Sequence, residues 1–312
     1  MAGVFTIAKK EFTDHVSDRT LLIYFGVLLV VMVGGGYFYV NGIQTRLLLE
    51  EAKGVIVKED AMGRTNPMLL ILTVIQPFTL LGVLAAISLS FSSVNKERTD
   101  GSLKVLLSYP IRRDKIVIGK LLGGVIAISI AVTASMIITF SIVMFYLSIP
   151  VTINFLIRVV LATAAGVLPL IFYFFAGIAN STVIQDASTA LIGILLIFVA
   201  LSRDALTVIV TFISGIFSTL GVSIDLPSLN YGQTAVQTWL TSGTRHLSML
   251  SPTETYLSFS YSIFQFQTPG TNIPLQLDTL LYQNLDLIAV LTLYVAAGFV
   301  ACFIIFTRRE VA

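Results

Sequence analysis

The stretch NKERTDGSLKVLLSYPIRRDKIVIGK, Asn95 to Lys120, is a dense charged island between two long apolar runs. Seven of the 19 lysines and arginines lie in it: Lys96, Arg98, Lys104, Arg112, Arg113, Lys115 and Lys120. Cytoplasmic loops of membrane proteins are the ones that collect Lys and Arg, so this loop is expected to face the cytosol. Within it, Leu103, Leu106 and Leu107 stand at i, i+3 and i+4, which puts them on one face of a short helix. Thr99 and Asp100 can cap its start, and Pro110 stops it because the ring cannot continue the backbone ladder. About two turns result, roughly 12 Å in length. The leucine face reads as a peg for a partner's groove or as an apolar face laid on lipid headgroups.

Working outward, the chain is dominated by apolar residues. Of its 312 residues 56% are hydrophobic and 12% charged, and the mean hydropathy is +0.91. This is the composition of an all-α membrane protein. The apolar runs predict six transmembrane helices at about 21–40, 67–93, 116–147, 155–178, 187–213 and 287–306, each able to cross a hydrocarbon core of ~30 Å. Gln76-Pro77 is expected to kink the second. Residues 1–18 place Phe5, Ala8, Phe12 and Val16 on one face and direct Lys9, Lys10, Glu11 and Asp14 elsewhere, the pattern of an amphipathic helix lying in the interface. Their charges do not fit a cleavable signal peptide. Residues 19–312 then make up the transmembrane domain.

Charge sets the expected orientation. Twelve basic residues fall on the predicted inner side and seven on the outer, so both termini of this multi-pass protein are expected in the cytosol and the protein in the cell membrane. Arg158, within a turn of the outer end of the fourth span, is expected to snorkel to the headgroups. Arg203-Asp204 interrupts the fifth span; either the chain continues there as a re-entrant or interfacial segment, or the span runs kinked through the pair. Residues 222–285 read as an extracellular elaboration whose Trp239, Tyr256, Phe259 and Tyr261 suit headgroup level. Gly34-Gly35-Gly36 in the first span, Gly119, Gly123 and Gly124 in the third, and Ala162, Ala165 and Gly166 in the fourth are small enough for helices to approach closely. Cys302, the one cysteine, cannot form an internal disulfide and reads as a packing residue. A net charge of +2 argues against nucleic acid as a partner.

The element order and one local run carry a family resemblance. Glu97, Gly101-Ser102-Leu103, Leu106-Leu107-Ser108, Pro110, Arg113 and Gly119-Lys120 resemble the run of glutamate, Gly-Thr-Leu, leucine pair with serine, proline, arginine and Gly-Lys in membrane subunits of type-2 ABC exporters. Ser102 stands where threonine is usual. The resemblance implies a permease. Its coupling loop would be residues 95–115, with Glu97, Gly101, Leu103, Leu106, Leu107, Pro110 and Arg113 forming the ATPase-coupling surface. It also implies a cytosolic ABC ATPase as partner and a second permease copy or a related permease, all in membrane lipid.

No phosphate-binding loop occurs in the sequence, because Gly119-Lys120 lacks the upstream glycine and is followed by Leu121. The chain is therefore expected to be no enzyme and to carry no cofactor, with ATP and Mg held by the partner. Metal-protease and serine-hydrolase motifs are missing as well. Two other readings remain open: a mechanical transmitter acting on an external partner, and a secondary transporter driven by an ion gradient.

Overall fold

The computed structural model describes residues 2–17, 23–31, 33–34, 67–91, 113–147, 153–202, 248–264 and 277–308. Among them the chain forms helices and no strand. In order these are α1 (Ala2–Ser17), α2 (23–31), α3 (Pro67–Phe91), α4 (Arg113–Leu147), α5 (Ile153–Val183), α6 (Ala187–Ala200), α7 (Pro252–Ile263), α8 (Leu277–Gln283) and α9 (Leu285–Arg308). α4, α5 and α9 are long and apolar enough to cross a membrane, while α6 and Phe78–Phe91 of α3 are shorter apolar helices. The predicted coupling helix, the Arg203-Asp204 pair and residues 203–247 lie outside the described residues.

α5 is the axis of the bundle, packed against α3, α4, α6, α7 and α9. Its buried face includes Ala162, Ala165, Gly166, Leu170, Phe174, Gly177 and Ile178, small and large residues alternating so that neighbours interlock. The opposite surfaces of the bundle are apolar too: Ile126, Ile130 and Ile137 on α4, Ile192 and Leu196 on α6, and Leu293 and Val300 on α9 are exposed. Such a surface belongs in lipid.

α5 runs on to Val183, where the sequence predicts a polar turn from Ala179. The hydroxyl of Thr182 donates to the Ile178 carbonyl at 2.8 Å, so the polar residue is satisfied by its own helix and does not break it. Thr79 and Ser135 bond back in the same way, to Ile75 and Ala131, each at 2.8 Å. The turn comes at Asp186. Its carboxylate accepts from the Thr189 amide at 2.8 Å and caps the start of α6. Pro169 sits inside α5 and leaves the Ala165 carbonyl without its helical donor.

The clearest departure from expectation is α7. Its Tyr256, Phe259 and Ile263 are at most 1% exposed, and the helix packs against α3, α5 and α9 instead of resting at headgroup level. The Tyr256 ring meets Phe78 edge-on with centroids 6.1 Å apart, and a Cβ on Gly166 would come within 2.9 Å of the Tyr256 ring and hydroxyl. Gly166 is roughly 20 Å along α5 from its start, so α7 reaches deep into the bundle. Aromatic rings gain as much from a packed core as from an interface, and here the i, i+3, i+7 row of Tyr256, Phe259 and Ile263 finds one.

Arg158 corrects a second expectation. It is 1% exposed, far from the snorkelling geometry the sequence suggests. Its Nε donates to Asn154 Oδ1 at 2.9 Å, and its Nη1 donates to the Ile263 carbonyl at the last turn of α7. The guanidinium is held inward because a helix C-terminus, with its unpaired carbonyls and negative dipole end, lies opposite it. Asn284, between α8 and α9, secures the same end of α7 by donating to Ser262 Oγ at 2.7 Å.

Candidate functional site

α4 opens at Arg113, where the charged island returns to the bundle. Of the predicted coupling residues, Arg113 is placed there by its backbone; Glu97, Gly101, Leu103, Leu106, Leu107 and Pro110 lie outside the described residues. What the structure brings together beside this point is α1 and the first turns of α4. Gly119 and Gly123 stand one turn apart on one α4 face and let α1 approach to backbone contact. A Cβ at Gly119 would lie 2.8 Å from Ile7 Cβ and 3.2 Å from the Val4 carbonyl oxygen. One at Gly123 would lie 2.6 Å from Glu11 Cβ and 2.7 Å from the Ala8 carbonyl oxygen. At Gly123, faced by the Ala8 carbonyl oxygen, any larger residue would force the helices apart, whereas at Gly119 the nearest atoms belong to the Ile7 side chain.

Between these glycines Lys120 donates to Glu11 Oε2 at 2.8 Å. The two side chains are 4% and 8% exposed. Lys10 flanks the pair, 3.8 Å from Glu11 Oε1 and 3.6 Å from Asp14 Oδ2. A lysine at the start of a span would be costly to bury alone, and α1 supplies the counter-charge.

α1 thus has three sectors at 100° per residue. Ile7, Ala8 and Glu11 are buried against α4; Phe5 and Val16 remain exposed; Lys9, Lys10 and Asp14 are exposed on the polar side. Of the expected apolar face, Ala8 is buried against α4 and Phe12 is half-buried, while Phe5 and Val16 stay exposed; the sequence reading missed Glu11 as an inward-facing group. The Gly119-Lys120 dipeptide was the available signal for its partner. A second contact ties the junction to the bundle axis: the His15 ring meets Phe174 of α5 edge-on at 6.1 Å.

Burial pushes the Glu11 carboxyl up. The Lys120 charge and hydrogen bond, with Lys10 and His15 adding to them, outweigh burial and hold the carboxyl below its ordinary 4.5. A carboxyl lowered by folding stabilises the folded arrangement above its unfolded value, and that contribution is lost as pH falls through the folded value. Hydrogen-exchange protection of the α1 amides, corrected for intrinsic rates, should therefore stay level between about pH 8 and pH 5 and fall only below 4.5. Loss of protection near neutral pH would show that a different group holds α1 in place.

At the start of α4, then, α1 is held by the contacts at Gly119 and Gly123 and by the buried Lys120–Glu11 ion pair. The family model described as ABC-2 family transporter protein matches residues 5–311, nearly the whole chain. The chain belongs to the ABC-2 transporter family. As an ABC-2 protein it is a multi-pass membrane component of a transporter. The match begins inside α1 and ends beyond α9, so the clamped N-terminal helix is part of the ABC-2 unit. No curated relative matches the chain.

Proposed function

We propose that this ABC-2 protein is the permease subunit of an ATP-driven exporter in the cell membrane. Both termini are cytosolic, and ATP and Mg are held by a separate ABC ATPase. Two permeases, identical or related, pair around a path that carries an amphipathic or hydrophobic substrate outward. The observation that carries this reading is family membership over residues 5–311 in a chain whose sequence contains no phosphate-binding loop. The energy for conformational work has to come from another chain. Residues 95–115, with Glu97, Leu103, Leu106 and Leu107 as the contact face, receive it and pass it as a rigid-body displacement into α3 and α4. The apolar bundle favours lipid-like cargo over free ions, since it offers buried hydroxyls but few charges to replace a hydration shell.

The test is affinity purification of the tagged chain from its native membranes. An ATPase carrying a phosphate-binding loop should co-purify with it. Glu97→Arg combined with Leu106→Asp should cut that recovery at least tenfold while leaving membrane insertion intact. Undiminished recovery of the ATPase would remove residues 95–115 as its docking surface. ATP-dependent uptake of a fluorescent lipid into inverted vesicles reports the outward direction; its absence in an assembled, ATP-hydrolysing complex would favour force transmission to an external partner.

A further inference from the structure

Contact at Gly119 and Gly123 brings α1 close to α4, yet apolar contact is non-directional and sets the register of two helices less sharply than an ion pair does. An ion pair between one lysine and one glutamate fixes both translation and rotation. Its net contribution to stability is not what distinguishes it, because a buried pair is often matched by apolar residues of the same volume. Registry is its best-attested use. The Glu11 to Lys120 bond joins residues 109 positions apart and lies about two helical turns from Arg113, the first residue of α4.

We propose that Glu11 and Lys120 are positioning residues that lock α1 to the first turns of α4, so that α1 and the end of the charged loop respond to the ATPase as one body. The proposal rests on the reading of the chain as an ABC permease. With the pair intact, a push delivered through residues 95–112 enters α4 at Arg113 and moves α1 without slip. α1 carries exposed Phe5 and Val16 on its outer side, so it drags against lipid and resists rotation of α4 about its own axis. With the pair replaced by apolar residues the helices stay packed but lose register, and part of the push is spent in sliding.

The decisive variant is Glu11→Leu with Lys120→Met, measured in the complete complex with its co-purified ATPase. The wild-type complex must first hydrolyse ATP; if no ATPase is recovered, the permease reading fails and the positioning role is not at issue. In an active complex, the double variant should keep its ATPase and its thermal stability while ATP-driven lipid transport falls at least tenfold. A merely structural pair would leave transport unchanged in this apolar replacement, and that result would overturn the proposal. A second variant does not depend on replacing the pair. Ile7→Cys with Gly119→Cys places two Cβ atoms 2.8 Å apart before relaxation, close enough to relax to the about 3.5–4.5 Å of a disulfide, and the native Cys302 is buried elsewhere. Oxidation of this pair should leave transport within twofold of the reduced protein, and should restore it in the Glu11→Leu/Lys120→Met background. Transport that is lost on oxidation and regained on reduction would show that α1 must slide on α4, and would refute the lock.

Discussion

Arg158→Leu is expected to destabilise the bundle by roughly 3–5 kcal/mol, from two lost charge-assisted hydrogen bonds and an orphaned carbonyl. It should also loosen α7 before the rest of the fold. Arg158 is 1% exposed and is the group through which α5 holds the Ile263 carbonyl, with Asn154 fixing the guanidinium at 2.9 Å from the other side. Leucine removes both donors and leaves Asn154 Oδ1 and the end of α7 facing a shortened apolar side chain. Arg158→Lys should recover less than half of the loss, since one ammonium cannot hold two acceptors in the planar arrangement of a guanidinium. The measurement is thermal unfolding in detergent, together with hydrogen exchange in 252–263. Arg308→Leu, at the exposed end of α9, is the control, with an expected change within about 0.5 kcal/mol. If Arg158→Leu behaves like that control, the Asn284 bond to Ser262 at 2.7 Å is sufficient to hold α7.

The apolar runs that become α4, α5 and α9 were legible because such runs report on length directly, although α5 continues to Val183 beyond its expected end. What lies across from a side chain is not written in its neighbours. Arg158 reads as a snorkelling residue because a position one turn from a span end is normally lined by headgroups; the helix end that covers it comes from residues 105 positions later. Tyr256 and Phe259 have the composition of a membrane-interface belt, and the same composition fills a core. A stronger signal was present: Ser251-Pro252-Thr253-Glu254 has the S-x-x-E pattern of a helix start with proline in the first turn, Ser251 Oγ accepts from the Glu254 amide as N-cap, and the Tyr256, Phe259, Ile263 row that follows marks an amphipathic helix in search of a groove. For α1, local periodicity puts Phe5, Ala8, Phe12 and Val16 on one face of an interfacial helix, and of these Ala8 is the one buried against α4. The ion pair to Lys120 selects the adjacent sector instead, and no pattern within 18 residues could reveal it. The glycines of α4 and α5 were read correctly, since small residues mark close approach whichever helix supplies the neighbour, whereas Gly34 has open space beside it. Gly119 and Gly123 receive α1, and Gly166 receives Tyr256.

Gly124 offers the sharpest test of that last point. A Cβ there would fall 2.0 Å from Phe174 Cζ and 2.5 Å from its Cε1. Phe174 is fully buried and its ring meets those of His15 and Phe175. A rigid ring so enclosed cannot swing aside as the end of a leucine could, so Gly124→Ala should cost about 3 kcal/mol through overpacking, even though alanine in a helix interior gains up to about 1 kcal/mol over glycine. Gly124→Leu should prevent a stable bundle. Phe174→Leu alone leaves a partial void and should cost about 1–2 kcal/mol, yet combined with Gly124→Ala it should recover most of the loss, giving a favourable coupling of at least about 1.5 kcal/mol in a double-mutant cycle read by thermal unfolding. Because His15 of α1 rests against the same ring, Gly124→Ala should also weaken protection of the α1 amides. Additive penalties in the cycle would mean that the backbones of α4 and α5 separate to admit the methyl group, and that the Phe174 ring is not what sets their distance.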